Sequence, residues 1–212
     1  MSTSGGYHHP VPSATRRRAP RKQPGRYHHG NLRRALVQEA AAIIGTRGID
    51  ALTLRAVSDS LGVSRTAMYR HFADKSDLLA AVAAEGFRRL RAALGGSFDA
   101  MGHGYVRFAM ANPAHYRVMF GGFVREHRPD TEVAIEGAAA FQVLVDALVG
   151  LQQEGTIRRD DPRQLATYIW SVVHGIAMLA IDGQIGDKQA VDSLTEFSIG
   201  RLRTGISATK GV

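Results

Sequence analysis

Between residues 53 and 75, TLRAVSDSLGVSRTAMYRHFADK, the side chains able to bond another molecule come close together. Ser64, Arg65 and Thr66 are consecutive, and Tyr69, His71 and Lys75 follow. An arginine fork can address guanine O6 and N7 or a phosphate, and a threonine offers a hydroxyl and a methyl to a thymine. Ser64 can contact a phosphate or simply cap a helix, whose free N-terminal amides also favour an anion. The chemistry this set suggests is recognition of a polyanion. Catalysis has little to stand on. There is no phosphate-loop lysine motif, no dinucleotide fingerprint, no cysteine and no His-Glu metal spacing. Ser171 and His174 lie close along one helix, but nothing supplies an acidic orienter or an oxyanion donor. His8, His9, His28 and His29 have no neighbouring cysteine or carboxylate to complete a metal site. The chain is therefore expected to be no enzyme and to hold no cofactor and no metal.

The elements around these residues explain how they would be presented. Leu54, Val57 and Leu61 recur at helical spacing, and Gly62 follows as a residue suited to a left-handed helix end. Ser64 can cap a second short helix on which Val63, Ala67 and Met68 point inward, leaving Arg65, Thr66 and Tyr69 outside. Phe72 closes the apolar contact, and Asp74 with Asp77 makes a capping box for the next helix. Upstream, Leu32, Leu36, Ala40 and Ile43 form one stripe of a helix expected over 31–46, with Asn31 as its N-cap and Gly48 at its end. Two short helices joined by a glycine turn form the helix-turn-helix unit, whose second helix can enter a major groove. The same geometry also serves as a plain packing pair.

Residues 31–79 resemble the DNA-binding domain of the TetR family of transcriptional regulators. The matching features are an alanine-rich first helix, Gly48 before a threonine-started second helix, LGVSRTAMYRHF, and Asp74-Lys75. Further on, IWSVVHGIAML at 169–179 resembles the Trp-Ser-x-x-His-Gly signature of one regulatory-domain subtype. The resemblance implies that Thr53, Arg55 and Lys75 clamp the duplex backbone, that Tyr69 faces DNA and that His71 approaches phosphate. It also implies a homodimer on a pseudo-palindromic site in double-stranded DNA, released by a small organic effector. A two-fold protein presents its recognition helices to successive grooves. A nonspecific architectural DNA-binding protein is the alternative, although it would not need a separate aromatic-rich body.

The formal net charge of +8 favours an anionic partner. Residues 1–26 read as a disordered arm carrying Arg16, Arg17, Arg18, Arg21, Lys22 and Arg26, either tracking phosphates or acting as a solubilising tail. Residues 27–75 form the expected DNA-binding domain, 76–96 a connecting helix, 97–204 a regulatory and dimerisation domain, and 205–212 a loose end. The whole is expected to be all-α, with about nine helices. Phe98, Met101, Tyr105 and Phe108 share one helical face, Pro113 begins a short helix, and longer helices are expected over 131–154, up to 181, and over 187–204. Phe108, Tyr116, Met119, Phe120, Phe123, Phe141, Trp170, His174 and Met178 are the candidates for a ligand pocket, with core packing as the competing role. Val172, Val173, Ile176 and Leu179, with Leu194, Phe197 and Leu202, are the candidates for a dimer surface by resemblance. The lack of cysteine, of a signal peptide and of any segment read as a membrane span leads to a cytoplasmic expectation.

Overall fold

A computed structural model describes residues 29–123 and 131–208. Among these residues the chain is all-α. The helices are α1 (His29–Arg47), α2 (Leu54–Leu61), α3 (Arg65–Tyr69), α4 (Lys75–Ala93), α5 (Phe98–Ala111), α6 (Pro113–Phe120), α7 (Glu132–Gln153), α8 (Pro162–Ile181) and α9 (Lys188–Ile206). The connection between α1 and α2 contains a single 3-10 turn, Ile49–Ala51. The basic arm residues Arg16, Arg17, Arg18, Arg21, Lys22 and Arg26 lie outside the described part.

Short polar side chains set most helix starts. Thr53, Ser64, Asp74, Ser97, Thr131, Asp161 and Asp187 each accept the backbone N–H of the residue three positions on. Each such cap contributes about 1 kcal/mol. The Asp74–Asp77 box is displaced by one residue, because the Asp77 carboxylate accepts from the Ala73 amide at 3.0 Å. Gly62 ends α2 in the left-handed region at φ 65°. Pro113 and Pro162 occupy first turns, where a missing N–H costs nothing.

The ends of the described fold depart from the sequence expectations. Asn31 is not an N-cap, since α1 is already helical at His29; a single cap preference does not stop a helix that its preceding residues can extend. Gly205 does not begin a loose end either. α9 continues to Ile206, which is buried, and the Arg158 amide donates to the Ile206 carbonyl at 2.9 Å. The Ala208 amide donates back to Thr156 at 3.2 Å, fastening the chain beyond α9 to the α7–α8 connection.

One continuous apolar core runs from Leu36, Val57, Met68 and Phe72 in the head, along Leu78, Val82 and Phe87 of α4, to Tyr116, Met119 and Ala140 in the body. A second cluster, including Leu148, Leu165, Ile169 and Ile206, closes the far end. Both α7 and α8 are long and apolar enough to cross a membrane by length and composition, and residues 164–181 contain no Asp, Glu, Lys or Arg. That corrects the expectation that no segment has these properties. In this fold the two helices spend apolar side chains on packing: α8 buries Leu165, Ile169, Val173 and Ile176, and α7 buries Ala140, Val145 and Leu148.

Candidate functional site

The first candidate surface is the outer side of α2 and α3. Met68 is fully buried and Phe72 nearly so, with the Arg33 guanidinium lying over the Phe72 ring at 5.4 Å. These contacts hold α3 down by one side. Arg65, Thr66 and Arg70 are exposed on the other, and Tyr69 keeps 59% of its surface, a large aromatic left in water. Thr53 Oγ1 accepts from the Ala56 amide at 2.9 Å and Ser64 Oγ from the Ala67 amide at 3.1 Å. Capping uses only a lone pair, so each hydroxyl proton remains free for a phosphate oxygen. Arg55 is exposed and pairs loosely with Asp59 at 3.4 Å. Lys75 is tied more firmly: its ammonium donates to the Ile49 carbonyl at 2.9 Å, locking the start of α4 to the turn before α2. Two of its three donors remain. His71 is half-buried beside Phe72.

The second candidate is an apolar, partly open cavity of about 210 Å³ lined by α4, α5, α6, α7, α8 and α9. A single water needs on the order of 10–15 Å³ of such space, so the void suits an organic molecule. Of the nine pocket candidates, Phe120, Phe141 and Trp170 line it. The others do not. Phe108 and Met119 are core residues, Tyr116 is fully buried behind the wall, Phe123 is exposed, and Met178 packs on the core. Instead α4 contributes Phe87, Leu90 and Leu94, and α5 contributes Phe98, Met101, Gly102 and Tyr105. Gly137, Ala140 and Leu144 of α7, Ile169 and Val173 of α8, and Ile199 and Leu202 of α9 complete the wall. Two of these could have been suspected. A glycine inside a helix costs roughly 0.5–1 kcal/mol relative to alanine, so Gly102 and Gly137 hint at a need for space. A Cβ at Gly102 would meet Ile199 Cδ1 at 2.6 Å.

Behind the cavity lies a chain of hydrogen bonds. Trp170 Nε1 donates to Tyr105 Oη at 2.9 Å, the Tyr105 and Tyr116 hydroxyls are 3.0 Å apart, and Tyr116 Oη lies 2.7 Å from His174 Nδ1. With His174 Nδ1 accepting, every hydroxyl proton has an acceptor. Protonating His174 would reverse its bond and leave a hydroxyl proton without one. His174 is thus the anchor of this chain and does not itself line the cavity. Burial pushes the Tyr105 phenol up to about 12, keeping it neutral.

Burial lowers the proton affinity of His174, and that of His115, where the Arg89 charge adds to the effect and Glu85 opposes it. His115 Nε2 is buried without a hydrogen-bond partner. The unfolded chain takes up protons at these imidazoles near pH 6.5, whereas the folded chain resists until a lower pH. Stability is therefore complete above about pH 6.5 and declines as pH falls through that value. The urea midpoint should drop between pH 7.5 and 5.5, and the drop should shrink in His115→Gln. An equal drop in that variant would exclude His115 as a source.

α4 and α7 link the cavity to the helices that carry the first surface. α4 starts at Lys75 and carries Phe87, Leu90 and Leu94 to the cavity. α7 lines the cavity with Gly137 and Phe141, while Glu132 in its first turn bonds Arg33 of α1 at 3.0 Å and Arg88 of α4 at 2.7 Å. The dimer candidates separate in a similar way. Val173, Ile176 and Leu202 are buried within the chain and are unavailable to a partner. Val172 and Leu194 are half-buried, and Leu179 and Phe197 are exposed.

Comparison with known proteins follows the same division. Residues 36–82 match a model described as bacterial regulatory proteins, tetR family, and residues 98–202 match one described as tetracyclin repressor-like, C-terminal domain. The chain is 27% identical over 187 residues to an uncharacterized HTH-type transcriptional regulator of Mycobacterium tuberculosis, covering 82% of this chain and 81% of that one. A solved structure of a protein with unknown function from Rhodococcus sp. RHA1 is 32% identical, with a TM-score of 0.74 over 86% of this chain and 99% of that chain. The TetR family transcriptional regulator PfmR from Thermus thermophilus shares the fold at 16% identity, with a TM-score of 0.63 over 80% of this chain and 97% of its own.

Proposed function

Because the chain belongs to the tetR family of bacterial regulatory proteins, we propose that it is a repressor that binds a pseudo-palindromic duplex site as a homodimer and lets go when a small organic molecule fills the cavity. The observation that carries the DNA half of this reading is α3 itself, with Met68 buried and Arg65, Thr66 and Tyr69 exposed. In this reading Arg65 addresses a guanine edge, Thr66 a thymine methyl, and Tyr69 the duplex wall. Thr53, Arg55, Ser64, His71 and Lys75 set the register on phosphates. Acting on chromosomal DNA places the protein in the cytoplasm.

Release follows from mechanics. Packed helices do not deform continuously, so a molecule wedged among Phe87, Leu90 and Phe141 displaces α4 and α7 as units. α4 carries Lys75, bonded to Ile49, and α7 carries Glu132, bonded to Arg33. Both therefore move the reading head, and the two recognition helices of a dimer lose the spacing of successive grooves.

The dimer surface is assigned to the outer faces of α8 and α9, which pack on each other. Tyr168, Leu179 and Phe197 leave a large apolar area exposed there, Phe197 at 59%. Phe197→Glu should convert the dimer to monomers by light scattering and weaken operator binding, while Ile135→Glu, at another exposed apolar residue, should do neither. An undiminished dimer in Phe197→Glu would place the interface elsewhere.

The experiment for the whole reading is selection of sheared genomic DNA by the full-length protein at near-physiological salt. An inverted repeat is the expected product. Salt-sensitive binding without any recovered motif would instead favour a nonspecific architectural role.

A further inference from the structure

The cavity wall contains no charged side chain. Leucine and isoleucine hydrocarbon and the rings of Phe87 and Phe141 dominate it, and its side-chain polar atoms belong to Tyr105 and Trp170. Both are already engaged. The indole has one proton, and it goes to Tyr105 Oη at 2.9 Å. That oxygen, with one proton and two lone pairs, also lies 3.0 Å from Tyr116 Oη and 3.1 Å from His174 Nδ1, so three partners occupy its three bonding positions. A molecule entering the cavity meets neither a spare side-chain donor or acceptor nor a counter-charge.

We infer that the effector is an uncharged, hydrocarbon-rich ring or chain compound, and that carboxylate and ammonium forms of the same skeleton are rejected. This rests on the proposed role of the cavity as the effector site. The physical reason is an imbalance in dehydration. Apolar surface gains by leaving water, whereas a formal charge loses its hydration and finds nothing here to replace it. The rejection is set by the wall and so should be reversible by a single residue. Leu94 lines the cavity and is half-buried at the C-terminal end of α4, where a lysine stem could lie along the wall with its ammonium near water.

Trp170 is the only tryptophan in the chain and forms part of the wall, so its emission reports occupancy without a label. The full-length protein would be titrated at pH 8 with 1-decanol, naphthalene, decanoate and decylammonium, each below its aggregation threshold. Saturable changes are expected with 1-decanol or naphthalene, and binding of decanoate and decylammonium should be weaker by about 100-fold or more. In Leu94→Lys, decanoate should gain roughly tenfold in affinity while decylammonium gains nothing. Decanoate binding within about threefold of 1-decanol would overturn the inference of neutrality while leaving the cavity as effector site. An unchanged decanoate affinity in Leu94→Lys would overturn the claim that wall charge governs selection. If none of the four compounds perturbs Trp170, the effector-site reading itself falls, and this inference with it.

Discussion

Arg65→Ala should cost most of the preference for the proposed operator over a scrambled duplex, while leaving the fold and the proposed dimer intact. Arg65 is exposed on α3 and makes no ion pair among the described residues, so its removal disturbs little inside the protein. A bidentate arginine–guanine contact is worth about 1–3 kcal/mol of discrimination. The proposed two-fold complex loses it twice, so the expected loss is about 2–6 kcal/mol, or roughly 30- to 20,000-fold in the specificity ratio. Lys75→Ala is the informative contrast. It removes a cation near the proposed phosphate path and also the bond to Ile49, so both duplexes should weaken together and the salt dependence should become shallower. Fluorescence anisotropy with the two duplexes at several salt concentrations separates the cases. If Arg65→Ala weakens operator and scrambled duplex by the same factor, Arg65 contacts phosphate and sequence is read elsewhere.

That the helix-turn-helix unit was legible in the sequence follows from how local its signals are. Thr53, Ser64 and Asp74 cap helices within three residues of themselves, and Gly62 is the left-handed end of α2. Each of these features depends on a few neighbours in sequence. The inward side of α3 was equally readable: Ala67 and Met68 turn toward the core, with only Met68 fully buried, while Val63 packs on the core from just before the helix rather than on it. The cavity is another kind of object. Helical spacing says which side of α5 is covered, and Phe98, Met101, Tyr105 and Phe108 do share a face. It does not say that the first three look into a void while Phe108 packs against other atoms. That distinction depends on where six helices stop short of one another. The same limit explains Val173 and Leu202, which are as apolar as any interface residue but lie inside the chain. Trp170 and His174 share one side of α8, yet their roles differ because only Trp170 reaches the cavity.

Tyr116→Ala should be the most destabilising of the substitutions considered, by about 3–5 kcal/mol, a large part of the 5–15 kcal/mol typical of a whole domain. The residue is fully buried and its ring is packed on three sides. Phe120 lies 4.8 Å away by ring centroid, His174 is stacked at 5.5 Å and Tyr105 meets it edge-on at 6.0 Å. Removing the ring opens a hole that these neighbours cannot close without giving up their own contacts. The hydroxyl is a separate matter, and the hydrogen-bond chain orders the remaining variants. In Tyr116→Phe, Tyr105 can still accept from Trp170 and turn its own proton to His174 Nδ1, 3.1 Å away, so no polar group is stranded. The expected cost is about 0.5–1.5 kcal/mol. In Tyr105→Phe, His174 keeps Tyr116, but the Trp170 N–H loses its acceptor against an apolar wall, for which about 1–3 kcal/mol is expected. Urea unfolding of the three variants should therefore rank Tyr116→Ala above Tyr105→Phe and Tyr105→Phe above Tyr116→Phe. Equal costs for the two phenylalanine variants would mean that Trp170 finds another acceptor, and that the cavity has a polar contact to offer its ligand after all.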